Sequence, residues 1–384
     1  MGSDPHPVRT AHPLVRGSIP GMQQDALDFL RHLLDTPSPS GHEAAGQRIW
    51  LDRVRGAADK VWNDAYGNCF ARLDCGRDDA PTVAICGHAD EIGLMVNNID
   101  DKGFVYCRQI GGIDPGSIVG KRIRFRSSVE GVDDFVTGVI GATAIHLQDR
   151  GADGKIRKLH ELFIDIGCKD GDEAAQKLNV GDAGVFADES MLVSDDIIVA
   201  RGLDNRIGTW AAAEALLRLA PDKADLHCNV VAVSTVQEEV GLHGAAMIAD
   251  GLKPDVALVT DVGHATDTPG IDRNRHGDFK LSGGPKIAVG GPAQPQVVER
   301  LMAAAAEEKI TIQRSATPGR SGTDTDAIFL RNGGIPCGLV SLPIRYMHTT
   351  VETTSLTDLE AIARIFARFC RDLKTGDSFI PSIA

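Results

Sequence analysis

Two histidines and at least four carboxylates follow closely on apolar runs along this chain. TVAIC leads into Gly87-His88-Ala89-Asp90-Glu91, IIVARGL into Asp204-Asn205, and NVVAVSTVQ into Glu238-Glu239. DVALVT ends at Asp261, and CGLVSLPIRYM at His348. In open α/β sheets functional residues gather past the carboxyl ends of the strands, so five such ends predict one shared edge. Each residue alone has a plain explanation: Asp204, ahead of a helix, would serve as a cap, and paired glutamates usually face solvent. Together, carboxylates crowded at one place repel, and they either keep their protons or hold cations. With two imidazoles among them, divalent metal is the cheaper solution. His and carboxylate donors without cysteine suit zinc, cobalt or manganese better than a structural Cys-rich zinc site. In the Glu238-Glu239 pair one residue ligates while the other faces substrate, and spacing alone does not say which.

The elements that must position these residues read as an α/β fold, a mostly parallel sheet flanked by helices. Helical patterns run from Gln23 to Leu34, through Ile49, Leu51 and Val54, through Ala211–Leu219, and near 243–250, 295–308 and 357–373. The apolar strands between them include 82–86. The stretch 94–190 is different, rich in Gly and β-branched residues, with one short helix around 171–178. It reads as a small β-barrel or sandwich inserted into the α/β domain, which then comprises 22–93 and 191–384. The first 21 residues, with Pro5, Pro7, Pro13 and Pro20 and no apolar centre, read as a disordered extension rather than a signal peptide, and Met22 is an alternative start.

Composition excludes several classes. The 384 residues carry a net charge of −13, which argues against nucleic acid or an anionic membrane surface as partner. No apolar stretch approaches the ~20 residues of a membrane span. The eight cysteines form no CxxC pair, and several lie in apolar runs, as expected of free thiols in a cytoplasmic protein.

The stretches GHADEIG, ARGLDNRIG, TVQEEVGLHGA, VTDVGHATDTPG and PIRYMHTTVE resemble the tetrahedral aminopeptidases, also called the glutamyl or deblocking aminopeptidase family. TPSPSGHE, GGIDP, GVIGATAIHL, LFIDIGCKDGDEA and SGTDTDAI match in the same order, from about residue 22 to the C-terminus. The resemblance implies a peptidase that releases N-terminal amino acids with two metal ions per chain, zinc being expected and cobalt or manganese the alternatives. Asp204 would bridge the ions, His88 and Asp261 would complete one, and Glu239 and His348 the other. Glu238 would be the general base, and Asp90 would orient His88. The resemblance also implies that the insertion supports dimer contacts and that twelve subunits close into a tetrahedral shell around peptide substrates.

The nearest rival is a two-metal carboxypeptidase or N-acyl amino-acid deacylase on the same fold. A carboxypeptidase needs a cation for the substrate carboxylate, and Arg201, Arg206, Arg320 and Arg345 all lie near the motifs. A metal-free glycoside hydrolase would leave the histidines without a task. A shell-forming protein without activity would have no use for a complete ligand set.

Overall fold

The computed structural model describes residues 22–132, 135–147, 157–381 and 383. The expected N-terminal extension, 1–21, lies outside them. After two helices, Gln24–Asp35 and Ala44–Val54, come strands β1 (Lys60–Asn63), β2 (Cys69–Leu73) and β3 (Thr82–His88). Six barrel strands follow: β4 (Gly93–Ile99), β5 (Val105–Ile110), β6 (Arg122–Arg126), β7 (Phe135–Gly141), β8 (Phe163–Asp165) and β9 (Ala183–Phe186). Then come β10 (Met191–Leu192), β11 (Ile197–Ala200), β12 (Asn229–Thr235), β13 (Val256–His264) and β14 (Lys286–Val289). The last strands are β15 (Gln313–Ala316), β16 (Cys337–Ile344) and β17 (Glu352–Ser355).

The main sheet has eight strands in the order β1-β2-β12-β3-β13-β16-β14-β15. Its centre, β12, β3, β13 and β16, is parallel. Those strands read as unbroken apolar runs because helices cover both faces and leave no side for polar residues. Towards the edges β2 and β14 run antiparallel to their inner neighbours. The helices Gln24–Asp35, Ala44–Val54 and Leu203–Leu219 pack together, and two tryptophans tie them. Trp50 donates its indole N–H to the Thr209 carbonyl and Trp210 to that of Ala26, both at 2.8 Å. Both rings are fully buried, so truncating either to alanine removes about 3–5 kcal/mol.

The insertion is a closed barrel, β4-β5-β8-β7-β6-β9, around Leu94, Val105, Ile123, Phe125, Ile140 and Ile164. Three expectations are corrected. The apolar run at 197–200 does not join the main sheet: it pairs antiparallel with β10 and β17 in a separate three-stranded sheet. The helix expected from Ala211 begins at Leu203, with non-helical backbone at Asp204 and Asn205, and it buries Asp204, Asn205 and Arg206. The helix expected over 171–178 spans only Gly171–Ala175, capped by the Asp170 carboxylate on the Glu173 amide.

One feature of the sheet makes room for chemistry. Strand β3 pairs with β12 up to His88 opposite Thr235, but with β13 only as far as Cys86 opposite Val259. Beyond Val259, β13 stays with β16 as far as His264. The parting of β3 and β13 opens a crevice at the carboxyl ends of the central strands, where α/β sheets place their sites. Asn205 ties the start of the helix Leu203–Leu219 to β13 there, its amide donating to the Thr260 carbonyl at 2.9 Å and its oxygen accepting from the Gly208 amide.

Candidate metal centre

All seven strand-end residues meet at this crevice. His88 is the last residue of β3, and Asp90 lies two residues beyond it. The chain leaves β12, turns at Gln237 with φ of 57°, and presents Glu238 and Glu239. Asp261 is not past a strand end as its motif suggests but within β13, in the part that β3 has left. His348 follows β16 and holds φ at 60°, a left-handed conformation costly for a residue with a Cβ. Asp204 arrives from the start of the helix Leu203–Leu219.

The carboxylate of Asp204 stands between the two imidazoles. Its Oδ1 is 3.3 Å from His88 Nε2, and its Oδ2 is 3.3 Å from His348 Nε2. Asp261 Oδ1 lies 3.7 Å from the same His88 nitrogen, and Glu239 Oε2 lies 3.4 Å from the same His348 nitrogen. Two sets of donor atoms result, His88–Asp204–Asp261 and Asp204–Glu239–His348, each within 4.8 Å. Asp204 belongs to both. Glu238 belongs to neither, though its Oε2 is 3.7 Å from His88 Nε2.

Two further buried carboxylates hold this arrangement by its backbone. Asp90 accepts the Glu238 amide at 3.0 Å on one oxygen and the Glu239 amide at 3.1 Å on the other. It also receives the Ser40 hydroxyl at 2.6 Å and faces His88 Nδ1 at 3.3 Å. Glu352 does the same across the site, accepting the His348 amide at 2.8 Å and the Asp204 amide at 3.1 Å. The sequence reading included Asp90 but missed Glu352. It also missed Asp324, a buried carboxylate that accepts the Thr235 hydroxyl at 2.6 Å. Neither follows an apolar run of the main sheet, so the strand-end signal did not reach them. The barrel contributes too, through Gly111 and Gly112 after β5. A Cβ on Gly112 would come within 3.0 Å of His348 Nδ1, and one on Gly111 within 3.1 Å of Glu239 Oε2.

Without a cation the cluster is electrostatically frustrated. Burial, and then the charges of Asp261, Asp324 and Asp204, push the Glu238 carboxyl up to about 9. Burial and Asp204 raise Glu239 well above the usual range, and burial with Asp204 and Asp324 does the same to Asp261. Burial also works against ionised Asp204, but hydrogen bonds from His348 and His88 outweigh it and hold that carboxyl low. For His88, burial disfavours the charged ring, and the charge of Glu238 and its hydrogen bonds to Asp204 and Asp90 reverse the balance. Glu239 Oε1 is buried with no hydrogen-bond partner among the described residues. An orphaned carboxylate oxygen and acids held protonated by burial and by one another are relieved together by divalent cations. The donor set therefore fits metal, and it opens on a cavity of about 370 Å³.

Three of the four arginines that kept a carboxypeptidase open are otherwise engaged. Arg201 and Arg206 are buried against Glu91, with Arg206 also donating to the Leu33 carbonyl at 2.6 Å. Arg345 makes a two-point pair with Asp267 at 2.8 and 2.7 Å. Arg320 lies near Asp326 on the surface. All eight cysteines are free, seven of them buried. Among the described residues no helix is long and apolar enough to cross a membrane.

A family model described as M42 glutamyl aminopeptidase matches residues 67–365. The chain is 30% identical over 356 residues to the lysyl aminopeptidase of Pyrococcus furiosus, across 91% of this chain and 98% of the relative. Among solved structures, it resembles the aminopeptidase of Desulfurococcus kamchatkensis with a TM-score of 0.83 at 31% identity, covering 91% of this chain and 95% of that one. The TET1 peptidase of Pyrococcus horikoshii, described as assembling into a tetrahedron or a large octahedral shell, gives 0.79 at 30% identity, covering 91% and 100%. The chain belongs to the M42 family of metal-dependent aminopeptidases, and it is a peptide hydrolase.

Proposed function

We propose that this M42 aminopeptidase releases N-terminal amino acids with two divalent ions per chain. His88, Asp204 and Asp261 hold one ion, Asp204, Glu239 and His348 the other, and Glu238 is the general base. The observation that carries this reading is that Asp204 alone belongs to both donor sets, while Glu238 belongs to neither. When bound, such a pair of ions supplies Lewis acidity, lowering the pKa of water from ~15.7 towards ~7 and polarising the scissile carbonyl. Glu238, on the cavity wall, takes the proton of the attacking water on a carboxylate oxygen and returns it to the leaving amine. Asp90 fixes where that oxygen sits, because it grips the Glu238 and Glu239 amides together. It also sets the orientation of the His88 ring from the Nδ1 side. The acidic lining suits a free substrate ammonium. The same donor chemistry supports zinc, with cobalt or manganese as substitutes.

The free cysteines support a reducing, cytoplasmic setting. The relative's shell supports a homo-oligomer for this chain, built from dimers into a dodecamer, with the barrel inserted at 94–190 as the contact unit. Val139, apolar and half-exposed on β7, is a suitable probe: Val139→Asp should reduce particle size by light scattering.

Acetylating a peptide's amino group should abolish cleavage, whereas amidating its carboxyl end should leave the rate within a few-fold. Chelation should stop the reaction and added zinc or cobalt restore it. Cleavage of acetylated peptides with rejection of amidated ones would overturn the reading.

A further inference from the structure

Beyond Thr235 the chain leaves β12 and its ladder partners, so the amides of the turn that carries Glu238 and Glu239 need other acceptors. Side chains take four successive ones. The Val236 amide donates to Asn68 Oδ1 at 3.0 Å and the Gln237 amide to Glu43 Oε1 at 3.2 Å, ahead of the two that Asp90 accepts. Asn68 and Glu43 are both buried. The amide that Glu43 holds belongs to the residue with the left-handed φ of 57°, a conformation that persists only where the surroundings over-determine it. Glu43 comes from the stretch 36–43, TPSPSGHE, which supplies no donor to either metal set. Ser40 of the same stretch donates to Asp90, so the segment reaches the turn twice, once through Asp90 and once directly.

We propose that Glu43 is a positioning residue for the general base: by accepting the Gln237 amide it fixes the turn that sets where the Glu238 carboxylate stands. This rests on the reading of Glu238 given above. A misplacement of about 1 Å from productive geometry can cost about 10²-fold in rate, so a hold on the backbone one residue before the base has a kinetic consequence. The hold needs an oxygen at the right reach rather than a charge. Glu43 Oε1 alone takes both the Gln237 amide and the Gly41 amide, the latter at 2.7 Å, whereas Asp90 uses one oxygen for each of its two amides. Burial, and then the charge of Asp90, raise the Glu43 carboxyl to about 7 against the pull of the Gly41 and Gln237 amides. A proton on the other oxygen leaves Oε1 free to keep both bonds.

The test compares Glu43→Gln with Glu43→Asp in the metal-loaded enzyme, on an aminoacyl anilide. Glutamine keeps the reach and an acceptor oxygen but loses the charge. Aspartate keeps the charge and withdraws both oxygens by one methylene. Turnover should stay within about threefold of the parent in Glu43→Gln and fall by about tenfold or more in Glu43→Asp, with KM within a few-fold and metal content at the parental level in both. The opposite order, equal losses in the two variants, or parental kcat in Glu43→Asp overturns the inference. A loss in Glu43→Asp that disappears when kcat is counted per folded chain would make Glu43 a brace of the helix start alone and also overturn it. Glu238→Gln, assayed alongside, keeps the two readings apart: full turnover in that variant would remove Glu238 as the base, whereas the Glu43 pair tests only what holds it.

Discussion

Replacing Glu352 with glutamine separates a role in metal binding from a role in folding, because the two effects differ in size. Both oxygens of Glu352 accept backbone amides, from His348 at 2.8 Å and from Asp204 at 3.1 Å. In Glu352→Gln one of those amides faces an NH₂ group instead of an oxygen. A buried donor left without an acceptor costs about 1–3 kcal/mol, a factor of about 5–150 at 1.4 kcal/mol per tenfold. Partners that orient metal ligands from behind typically cost 10–100-fold in affinity when lost. Affinity for the ion at Asp204, Glu239 and His348 should therefore fall by about 10–100-fold. The metal-free protein should behave differently. Burial and the charge of Asp204 already penalise ionised Glu352, so a neutral side chain offsets the cost of the unpaired amide there and the melting temperature should change little. Competition against a chromophoric zinc chelator measures the first effect, and melting of the metal-free protein the second. Two ions retained at parental affinity would refute the role, and a large fall in metal-free stability with affinity intact would make Glu352 a packing residue only.

Glu238→Gln should lower turnover by at least about 10²-fold while elemental analysis still finds two ions per chain; loss of metal there, with Glu239→Gln keeping both ions, would exchange the roles of the two glutamates. Asp358 supplies a test by pH. Burial, helped by the charge of Asp196 and opposed by the Gly284 amide, raises its carboxyl from 3.8 to about 6. A raised acid favours the protonated form in the folded chain, so the parent should lose stability relative to Asp358→Asn as pH rises from about 4 to 6, then level off. A difference in melting temperature that stays flat across that interval would contradict the assignment.

The candidate ligand residues were legible because most follow a strand whose burial forces an unbroken apolar run, and such runs end where the crevice opens. His88 and Glu238-Glu239 follow that rule directly. Asp261 obeys it only in appearance: its apolar run stops, yet β13 continues for three more residues beside β16. Asp204 was found by a partly mistaken route, since IIVA belongs to a small antiparallel sheet and four apolar residues carry no sign of which partner they choose. The anchoring carboxylate of Glu352 was not legible because its partners are a backbone amide 148 positions away and another four residues back. Backbone amides exist at every position but proline and leave no mark in composition.

Nothing in the ligand count requires the inserted barrel, yet its Gly111-Gly112 turn is seated against Glu239 and His348. Lys121, just ahead of β6, reaches across to the Thr350 hydroxyl at 2.5 Å, two residues from His348. The insertion is thus a wedge under one half of the candidate metal centre, and any displacement of the barrel is delivered to Glu239 and His348 through a contact with no slack. Cutting the barrel out to test the proposed interface would remove the wedge as well, so a loss of activity in such a deletion would report the missing turn as readily as a missing assembly. Single changes on the barrel's outer surface leave the wedge in place, and they alone make quaternary structure and metal loading separable quantities.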